Sequence, residues 1–349
     1  MKCNRLYIHA VNIHCGGGKT LLLAFLKSVG LIPSIISVDE RMQPALESMA
    51  LNAIEIDLVK PTLLHRLLAE LRLLRRIVKS DYLFCFGSLP PLFRSQAYTA
   101  VFIQNRYLIE VLDLKGFHPS VRLRILFERL WLKLTFKNAD EFIVQSMSMY
   151  RLLHLIIGDS AKIRVLPFQG ELNSDDYDPL TLSFKDIQRF DFTYIASGEP
   201  HKNHNNLIKA WCILADEGIY PSLCLTINSL YFPEICHSID QLIRSRNLMI
   251  FNLGTLTYSE IHSLYKRSNA TIYPSKLESL GLPLIEARDA GLPIIASELD
   301  YVRDILNPEQ SFDPESPISI ARAVKRQLGL IETPQTIMNA DEFLRAIWN

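Results

Sequence analysis

Two glutamates, Glu278 and Glu286, stand eight positions apart on either side of a Gly-Leu-Pro turn at 281–283. The apolar run at 270–273 predicts a buried strand before this segment. Pro283 suits the first turn of a short helix after it, because proline has no N–H to leave unpaired. The free N–H groups at a helix start attract anions, and carboxylates accept hydrogen bonds from vicinal hydroxyls. The segment therefore predicts a site for a diphosphate that carries a sugar.

A lysine is predicted to lie near the start of a second helix. Lys202 follows the apolar run 192–196, in a loop that contains Gly198 and leads to a helix capped by Asn203 or Asn205. A cation at the carboxyl end of a parallel strand strengthens phosphate binding. The alternative is an ordinary surface lysine.

A glycine-rich turn follows the first apolar run. Gly16 and Gly17 begin the sequence Gly-Gly-Gly-Lys-Thr, but a phosphate-binding P-loop needs a glycine at the position of Ile13. The spacing therefore excludes a P-loop. We expect a turn that opens a helix at about Lys19 and faces a ligand; a purely structural turn is the alternative.

Two amide side chains end another apolar run of the first half. Gln104 is the last residue of the run 100–104, and Asn105 follows it. Either amide could hydrogen-bond a substrate hydroxyl, whereas capping of the next turn explains Asn105 equally well. We place both residues on the acceptor side of the site.

The sequence predicts no metal and no cofactor. The pair at Asp176 and Asp178 matches a short metal-binding pattern, but it lies in a polar segment with no strand before it. His201 and His204 have no third ligand nearby and are interpreted as polar loop residues. Six cysteines without a Cys-x-x-Cys pair favour free thiols in a reducing compartment.

Short apolar runs alternate with helical patterns along the whole chain, which predicts an α/β fold with parallel sheets. The runs lie at 6–11, 32–38, 53–56, 82–86, 100–104, 142–144 and 163–166, and then at 192–196, 223–227, 249–251, 270–273 and 293–296. A polar segment at 171–178 separates the two series. We predict two doubly wound Rossmann-like domains facing a cleft, 1–170 on the acceptor side and 171–334 on the donor side.

The two halves carry opposite charge. Residues 1–168 hold 22 Lys and Arg against 13 Asp and Glu, and residues 169–349 hold 15 against 24. The basic half favours an anionic partner such as a phospholipid headgroup or a lipid diphosphate; chance together with attraction between domains is the alternative. No nucleic-acid partner is expected.

Two basic stretches with apolar residues, at 62–79 and 119–137, could lie on an anionic membrane surface. In the second stretch the basic residues are predicted to form one stripe, comprising Arg122, Arg129, Lys133 and Lys137. A solvated face on an ordinary helix explains them equally well. No run of 18 uncharged apolar residues and no signal-peptide pattern is present. The expected location is cytoplasmic, or peripheral at the inner face of the plasma membrane.

The segment 192–326 resembles the donor domain of family 4 glycosyltransferases, retaining enzymes of the two-Rossmann GT-B fold. The resemblance rests on the E-x7-E spacing of the glutamates, on the Gly-loop-Lys-Asn stretch that ends at Asn203, on Leu253-Gly254-Thr255 and on Phe312-Asp313-Pro314. The first half resembles the family more weakly, at Gly16-Gly17, Gln145-Ser146 and Val165-Leu166-Pro167.

The resemblance implies a role for each matching residue. Glu286 would bind the donor ribose, Lys202 would neutralise the diphosphate, and Gly254 with Thr255 would contact the base. Glu278 would address the transferred sugar together with the backbone of Ser279, Leu280, Gly281 and Leu282. The family also sends its final helix back across the first domain, a role that residues 335–349 would take.

Three positions depart from the family pattern. Glu199 stands where the family commonly has an arginine, so one phosphate-binding cation is missing or is supplied elsewhere. Gln104-Asn105 replaces a histidine that usually contacts the sugar, and Ser279 replaces a glycine.

The sequence therefore predicts a metal-independent hexosyltransferase, with Lys202 and Glu278 as catalytic residues. A nucleoside diphosphate sugar would be the donor, and a saccharide, lipid-linked as in bacterial surface polysaccharide synthesis, would be the acceptor. The alternatives are a nucleotide-sugar epimerase or hydrolase on the same fold and a catalytically silent binding subunit.

Overall fold

The chain folds around two parallel β-sheets, one in each half, as a computed structural model shows. The structure describes residues 5–30, 32–49, 51, 54–110, 114, 117–169, 189–330, 337, 339 and 340. The predicted domain boundary at 170/171, Asp176, Asp178 and nearly all of the predicted final helix at 335–349 lie outside the described residues. The division into 1–170 and 171–334 stays a prediction.

The first sheet has seven strands in the order β3-β2-β1-β4-β5-β6-β7. The strands are β1 Leu6–Ala10, β2 Ser34–Asp39, β3 Ile54–Val59, β4 Tyr82–Cys85, β5 Tyr98–Ile103, β6 Glu141–Val144 and β7 Lys162–Val165. The described helices of this half are α1 Gly16–Val29, α2 Gln43–Glu47, α3 Leu63–Arg76, α4 Pro119–Thr135 and α5 Met147–Ile157. Ile8 pairs with Ile36 on one side and Phe84 on the other, and all three side chains are buried.

The second sheet has six strands in the order β10-β9-β8-β11-β12-β13. The strands are β8 Phe190–Tyr194, β9 Leu223–Leu225, β10 Ile250–Asn252, β11 Ser268–Tyr273, β12 Ile294–Ser297 and β13 Gln310–Phe312. The described helices are α6 His204–Asp216, α7 Pro233–Arg246, α8 Tyr258–Lys266, α9 Leu282–Asp289, α10 Asp300–Arg303 and α11 Pro317–Gln327. Trp211, Tyr194 and Tyr273 are among the largest side chains of its core.

These elements form where the sequence pattern places them. Strands covered by helices on both faces are buried along their whole length, and all six residues of β2 are buried, including Ser34, Ser37 and Asp39. Helix starts carry side-chain caps, such as Ser146 at α5 and the capping box of Thr257 and Glu260 at α8. The predicted fold class, two Rossmann-like α/β domains, is confirmed.

The two sheets meet through their carboxyl edges. A methyl group added at Gly17, at the start of α1, would lie 3.7 Å from Leu282 at the start of α9. The backbone N–H of Ser148 on α5 donates to Asp304, just after α10, over 2.7 Å. Since loops at the carboxyl ends of parallel strands build the ligand site in such folds, residues of both halves contribute to one cleft.

One helix begins earlier than its sequence predicts. We expected α1 to open at about Lys19, but it begins at Gly16, whose φ of 63° is a left-handed conformation that glycine adopts without strain. In the described part of the chain, none of the helices is both long and apolar enough to span a membrane.

Candidate functional site

Lys202 and Glu278 form an ion pair at the carboxyl edge of the second sheet. The Lys202 ammonium lies 2.6 Å from Oε1 of Glu278, and the side chains are 15% and 12% exposed. Lys202 ends a short 3-10 turn after β8, and Glu278 lies in the loop after β11, the strand that pairs with β8. The Tyr273 hydroxyl donates to the same carboxylate oxygen over 2.8 Å. The predicted cation and the first predicted carboxylate therefore stand together.

The ion pair sets the charge state of Glu278. Burial raises the pKa of its carboxyl more than any other single effect, but the Lys202 ammonium, the nearby His201 and the hydrogen bonds from Lys202 and Ser275 together outweigh burial, and the pKa of Glu278 is lowered. The carboxylate is ionised at neutral pH. A second anion, such as a diphosphate, would compete with Glu278 for the ammonium.

Asn203 anchors the Lys202 loop. Its Nδ2 donates to the carbonyl of Pro274 over 3.0 Å and to that of Pro314 over 2.8 Å. Its φ of 61° is left-handed, and its side chain does not cap α6, contrary to one of the two caps we expected. Asn203 instead joins three loops at the carboxyl edge of the sheet and thereby fixes the position of the adjacent lysine.

The second predicted carboxylate lies one turn into α9. Glu286 is partly buried, and the Tyr265 hydroxyl lies 3.4 Å from its Oε2. Burial raises the pKa of Glu286. Gly281 precedes the helix with a φ of 76° and accepts the Leu284 N–H over 2.9 Å. Pro283 has no N–H, so in the first three residues of α9 the Leu282 N–H is the donor that remains for a ligand. Ser279 and Leu282 are partly buried beside these residues, whereas the Leu280 side chain is buried, so only its backbone can address a ligand.

Gly198 has a structural reason to be glycine. A methyl group at this position would lie 2.5 Å from Cγ of Phe232. The neighbouring Glu199 accepts a hydrogen bond from the Ser197 hydroxyl, and burial raises the pKa of its carboxyl. A carboxyl thus occupies the position where the family pattern has a cation.

Gly254 and Thr255 lie after β10, the edge strand that is two places from β8. The Thr255 hydroxyl accepts a 2.7 Å hydrogen bond from Asn228, and Gly254 has a φ of 73°. The predicted base contact therefore lies at the same carboxyl edge of the sheet, at its outermost strand. Two strand spacings, about 10 Å, separate it from the Lys202 loop.

The first half supplies the opposite wall of the cleft. Nε2 of Gln104 donates to the carbonyl of Phe86 over 2.7 Å, while its Oε1 is buried and has no hydrogen-bond partner among the described residues. A methyl group on Gly18 would lie 3.3 Å from that oxygen. Oδ1 of Asn105 caps the next turn by accepting from the N–H of Tyr107, as the alternative interpretation expected. Of the two predicted amides, Gln104 keeps an unused polar atom.

Two residues that the sequence did not single out, Arg106 and Tyr107, connect the two walls. Nη1 of Arg106 donates to the Glu278 carbonyl over 3.3 Å, and the Tyr107 ring packs edge-on against the His201 ring with 5.5 Å between centroids. Arg106 is also paired with Glu110 at 2.5 Å. The only sequence signal for Arg106 was its place just after a strand end, and Tyr107 gave none.

His201 lies in the loop after β8, as we interpreted it, and is partly buried, but the interpretation of His204 as a polar loop residue is wrong. His204 begins α6, is 1% exposed and packs against the Tyr194 ring. Neither of its ring nitrogens is hydrogen-bonded to a residue in the described ranges. Burial lowers the pKa of His204 to about 3 and that of His201 to about 4, with the nearby Lys202 charge adding to both shifts. Both imidazoles are neutral near pH 7.

Within the residues that the structure describes, no group of three or more His, Cys, Asp or Glu side chains is arranged to hold a metal ion. The five described cysteines are free thiols.

The basic stripe expected on 119–137 is not formed. Arg129 turns inward and donates to the carbonyls of Tyr107 and Glu110, each over 2.7 Å, and Arg122 donates to the carbonyl of Phe117. The outward face of α4 carries five large apolar side chains together with the exposed Arg124 and Lys133. The exposed apolar side chains are Leu123, Leu126, Phe127, Leu130 and Leu134.

Residues 183–340 match the family model described as Glycosyl transferases group 1. The matched range contains the Lys202 loop and both glutamates. This segment is similar to the group 1 glycosyl transferases, and the two Rossmann-like domains of the chain have the GT-B fold.

Bacterial relatives are similar over parts of the chain. The serotype-specific mannosyltransferase WbdA of Escherichia coli is 30% identical over 143 residues, which cover 40% of this chain and 17% of WbdA. The O-antigen chain mannosyltransferase RfbU of Salmonella typhimurium is 24% identical over 222 residues, 62% of this chain and 59% of RfbU. The matches thus span less than two thirds of these relatives.

Solved structures share the fold over nearly the whole chain. Anabaena Alr3699/HepE in complex with UDP and glucose has a TM-score of 0.66 and 16% identity, over 93% of this chain and 89% of that chain. Sucrose-phosphate synthase from Thermosynechococcus elongatus has a TM-score of 0.68 and 15% identity, over 93% and 90%.

Proposed function

We propose that the protein transfers a hexose from a nucleoside diphosphate sugar to a saccharide acceptor, with retention of the anomeric configuration and without a metal. The observation that carries this proposal is the Lys202–Glu278 ion pair beside the start of α9. Glu286 lies one turn into the same helix. A cation, a helix N-terminus and two carboxylates are the groups that a sugar diphosphate requires. The relatives named mannosyltransferases make a mannosyl group the hexose that we expect.

In the proposed reaction, Lys202 and the N–H groups at the start of α9 stabilise the charge that develops on the leaving diphosphate. The acceptor hydroxyl attacks the anomeric carbon from the face that the diphosphate leaves, and the departing diphosphate takes the hydroxyl proton. When the donor binds, the Lys202 ammonium exchanges its ion pair with Glu278 for one with the diphosphate. The Glu278 carboxylate then accepts hydrogen bonds from sugar hydroxyls. Glu286 binds the ribose.

Arg106 supplies the cation that the family pattern places at position 199. Its guanidinium reaches the Glu278 carbonyl from the opposite wall, and its side chain is 13% exposed. This arrangement makes phosphate neutralisation depend on both domains, since Lys202 comes from one and Arg106 from the other.

The donor is tested by a thermal-shift screen of nucleoside diphosphates and their sugars. A ligand at about 100 times its dissociation constant stabilises the protein by roughly 2.7 kcal/mol, and a Glu286→Ala variant is expected to bind the selected nucleotide about ten- to a hundredfold more weakly. Glu234→Ala, an exposed glutamate on α7, is the matched control. Equal affinity of the Glu286 and Glu234 variants would contradict the proposed ribose contact. Nucleotide binding without turnover on any acceptor would instead favour a silent binding subunit.

We further propose that the acceptor is lipid-linked and that the protein works peripherally at the cytoplasmic face of an anionic membrane, where α4 docks. Five large apolar side chains are exposed on this helix, and Arg124, which is 61% exposed, adds positive charge. Apolar surface together with basic side chains is the combination that holds an amphipathic helix at a membrane.

The pair of changes Leu126→Asp and Leu130→Asp is expected to weaken binding to anionic vesicles by about tenfold or more for each leucine, because each loses the burial of an apolar side chain. Liposome flotation measures the effect. Leu155→Asp, on the 82% exposed Leu155 of α5, is the control and should float as the unchanged protein does. Flotation that depends neither on these leucines nor on anionic lipid would rule out this surface.

A further inference from the structure

Tyr107 stands between the two walls of the cleft. It lies in the short 3-10 turn after β5 of the first half, and its ring packs edge-on against the His201 ring of the second half. His201 directly precedes Lys202, and its carbonyl accepts the N–H of Lys276, in the loop after β11, over 2.8 Å. The Tyr107 ring therefore lies against the turn that carries the proposed phosphate-binding cation.

The backbone and the ring of Tyr107 are held in place by the first half. The Tyr107 N–H donates to Oδ1 of Asn105 over 3.1 Å, and the Tyr107 carbonyl accepts from Nε of Arg129 over 2.7 Å. The Phe117 ring packs edge-on against the Tyr107 ring, with 5.2 Å between the centroids. A side chain fixed in this way gives up little conformational freedom when a ligand binds.

The hydroxyl is the part of the Tyr107 side chain that the protein does not use. In the described ranges it has no hydrogen-bond partner, although the side chain is partly buried. Unlike the unpaired Oε1 of Gln104 on the same wall, the hydroxyl oxygen is not shut off from solvent. Tyrosine hydroxyls in partly buried positions usually find a partner. A fixed, open and unpaired hydroxyl in the cleft is thus available to a ligand.

Three carboxylates face the Tyr107 side chain. Burial raises the pKa of the phenol, and the charges of Glu278, Glu199 and Glu110 raise it further, in that order. The first two carboxylates belong to the second half, and Glu110 belongs to the first. The phenol therefore stays protonated at neutral pH and is a hydrogen-bond donor in the cleft.

A neutral ligand with several hydroxyl groups complements this arrangement. Lys202 pairs with Glu278 and Arg106 pairs with Glu110, so two of the three carboxylates already use the nearby cations. An anion beside the phenol would be repelled by the carboxylates. A sugar hydroxyl, by contrast, can accept a hydrogen bond from the phenol and donate one to a carboxylate at the same time.

We propose that the Tyr107 hydroxyl donates a hydrogen bond to a hydroxyl of the transferred hexose, which makes Tyr107 a specificity-determining residue that the first half contributes to the donor site. This inference rests on the proposed glycosyl transfer and deepens it. The Glu278 carboxylate accepts from other hydroxyls of the same sugar. The hexose is therefore recognised only where the two walls meet, since the phenol belongs to one half and the carboxylate to the other.

Isothermal titration calorimetry with GDP-mannose against GDP, and with UDP-glucose against UDP, tests the proposal. The dissociation constant of the nucleotide divided by that of its sugar measures what the sugar adds to binding. Tyr107→Phe keeps the ring against His201 and Phe117 and removes the hydroxyl alone. For the pair that the unchanged protein binds more tightly, we expect this ratio to fall about three- to tenfold, because one hydrogen bond is lost. The affinity for the nucleotide itself should stay within about twofold.

Tyr150→Phe is the matched control. Tyr150, on α5, is also a partly buried tyrosine of the first half, and its ring stacks on a histidine, His154, with 5.8 Å between the centroids. Removing this hydroxyl should leave both affinities and their ratio as they are in the unchanged protein. An equal fall of the ratio in the two variants would show that the effect does not come from the cleft, and would overturn the proposal.

The remaining outcomes separate this inference from the proposed function. A ratio that Tyr107→Phe leaves unchanged overturns the sugar contact while the proposed transfer stands. Equal weakening of the nucleotide and of its sugar would place the hydroxyl on the diphosphate, and the proposal would be wrong. It would also be wrong if both affinities were unchanged and the KM for the acceptor rose. Failure of the unchanged protein to bind any nucleotide sugar in the thermal-shift screen would reject the proposed function and this inference with it.

Discussion

Replacing Lys202 with alanine is expected to lower the rate of sugar transfer by about 10²–10³-fold, since a positioned group that stabilises developing charge contributes on this scale. The ammonium lies 2.6 Å from Glu278 beside the start of α9, where the leaving diphosphate is proposed to sit. The measurement is the turnover number at saturating donor and acceptor. A rate within threefold of the unchanged protein would remove Lys202 from the proposed chemistry.

A loss of fold must be separated from this loss of chemistry. Removing the lysine leaves the Glu278 carboxylate largely buried and unpaired, and breaking such a pair typically costs about 3–5 kcal/mol. The double change Lys202→Met with Glu278→Gln removes both charges and should regain much of that stability while staying inactive. Lys276→Ala is the matched control, because Lys276 pairs with the exposed Glu315 at 2.7 Å and should keep the full rate.

The second large effect is a loss of stability in mild acid. The pKa of His204 is lowered to about 3, so the folded protein keeps this imidazole neutral while the unfolded chain takes up a proton below pH 6.5. Stability is therefore unaffected above pH 6.5 and is lost progressively as the pH falls from 6.5 towards 3. At pH 5 the loss due to His204 alone is about 2 kcal/mol relative to pH 7.5.

The change His204→Phe should remove this dependence. It keeps an aromatic ring against Tyr194 and titrates in neither state, so the difference in free energy of unfolding between pH 7.5 and pH 5 should shrink by about 2 kcal/mol. Urea unfolding at the two pH values measures it. His237→Phe, on the exposed face of α7, should leave the difference as it was. An unchanged pH dependence in the His204 variant would show that another group is responsible.

The sequence predicts the fold and the donor loops well, because both rest on local patterns. Runs such as 192–196 and 270–273 became β8 and β11, since a strand covered on both faces must be apolar. The Gly-Leu-Pro turn predicted the first residue of α9 to within one position. Lys202 and Glu278 met because neighbouring parallel strands present their carboxyl ends at one edge.

What the sequence does not predict depends on contacts between distant segments. Arg106 reaches Glu278 across the cleft, over 172 positions of chain. The stripe on α4 was predicted from helical spacing alone, which cannot tell that the carbonyls of Tyr107 and Glu110 draw Arg129 inward. His204 looked polar because burial of an imidazole leaves no periodic signal at the start of a helix.

Asn203 shows how narrow the choice of residue can be next to a reactive group. The position needs a backbone that accepts a φ of 61° and a side chain with two N–H donors for the carbonyls of Pro274 and Pro314. Glycine meets the first demand without the donors, aspartate tolerates the backbone but has no N–H, and glutamine has the donors on a chain that disfavours left-handed φ. Asparagine is thus the residue that meets both demands at position 203. A change at any other position of this loop leaves the anchor of Lys202 intact only if Asn203 is kept.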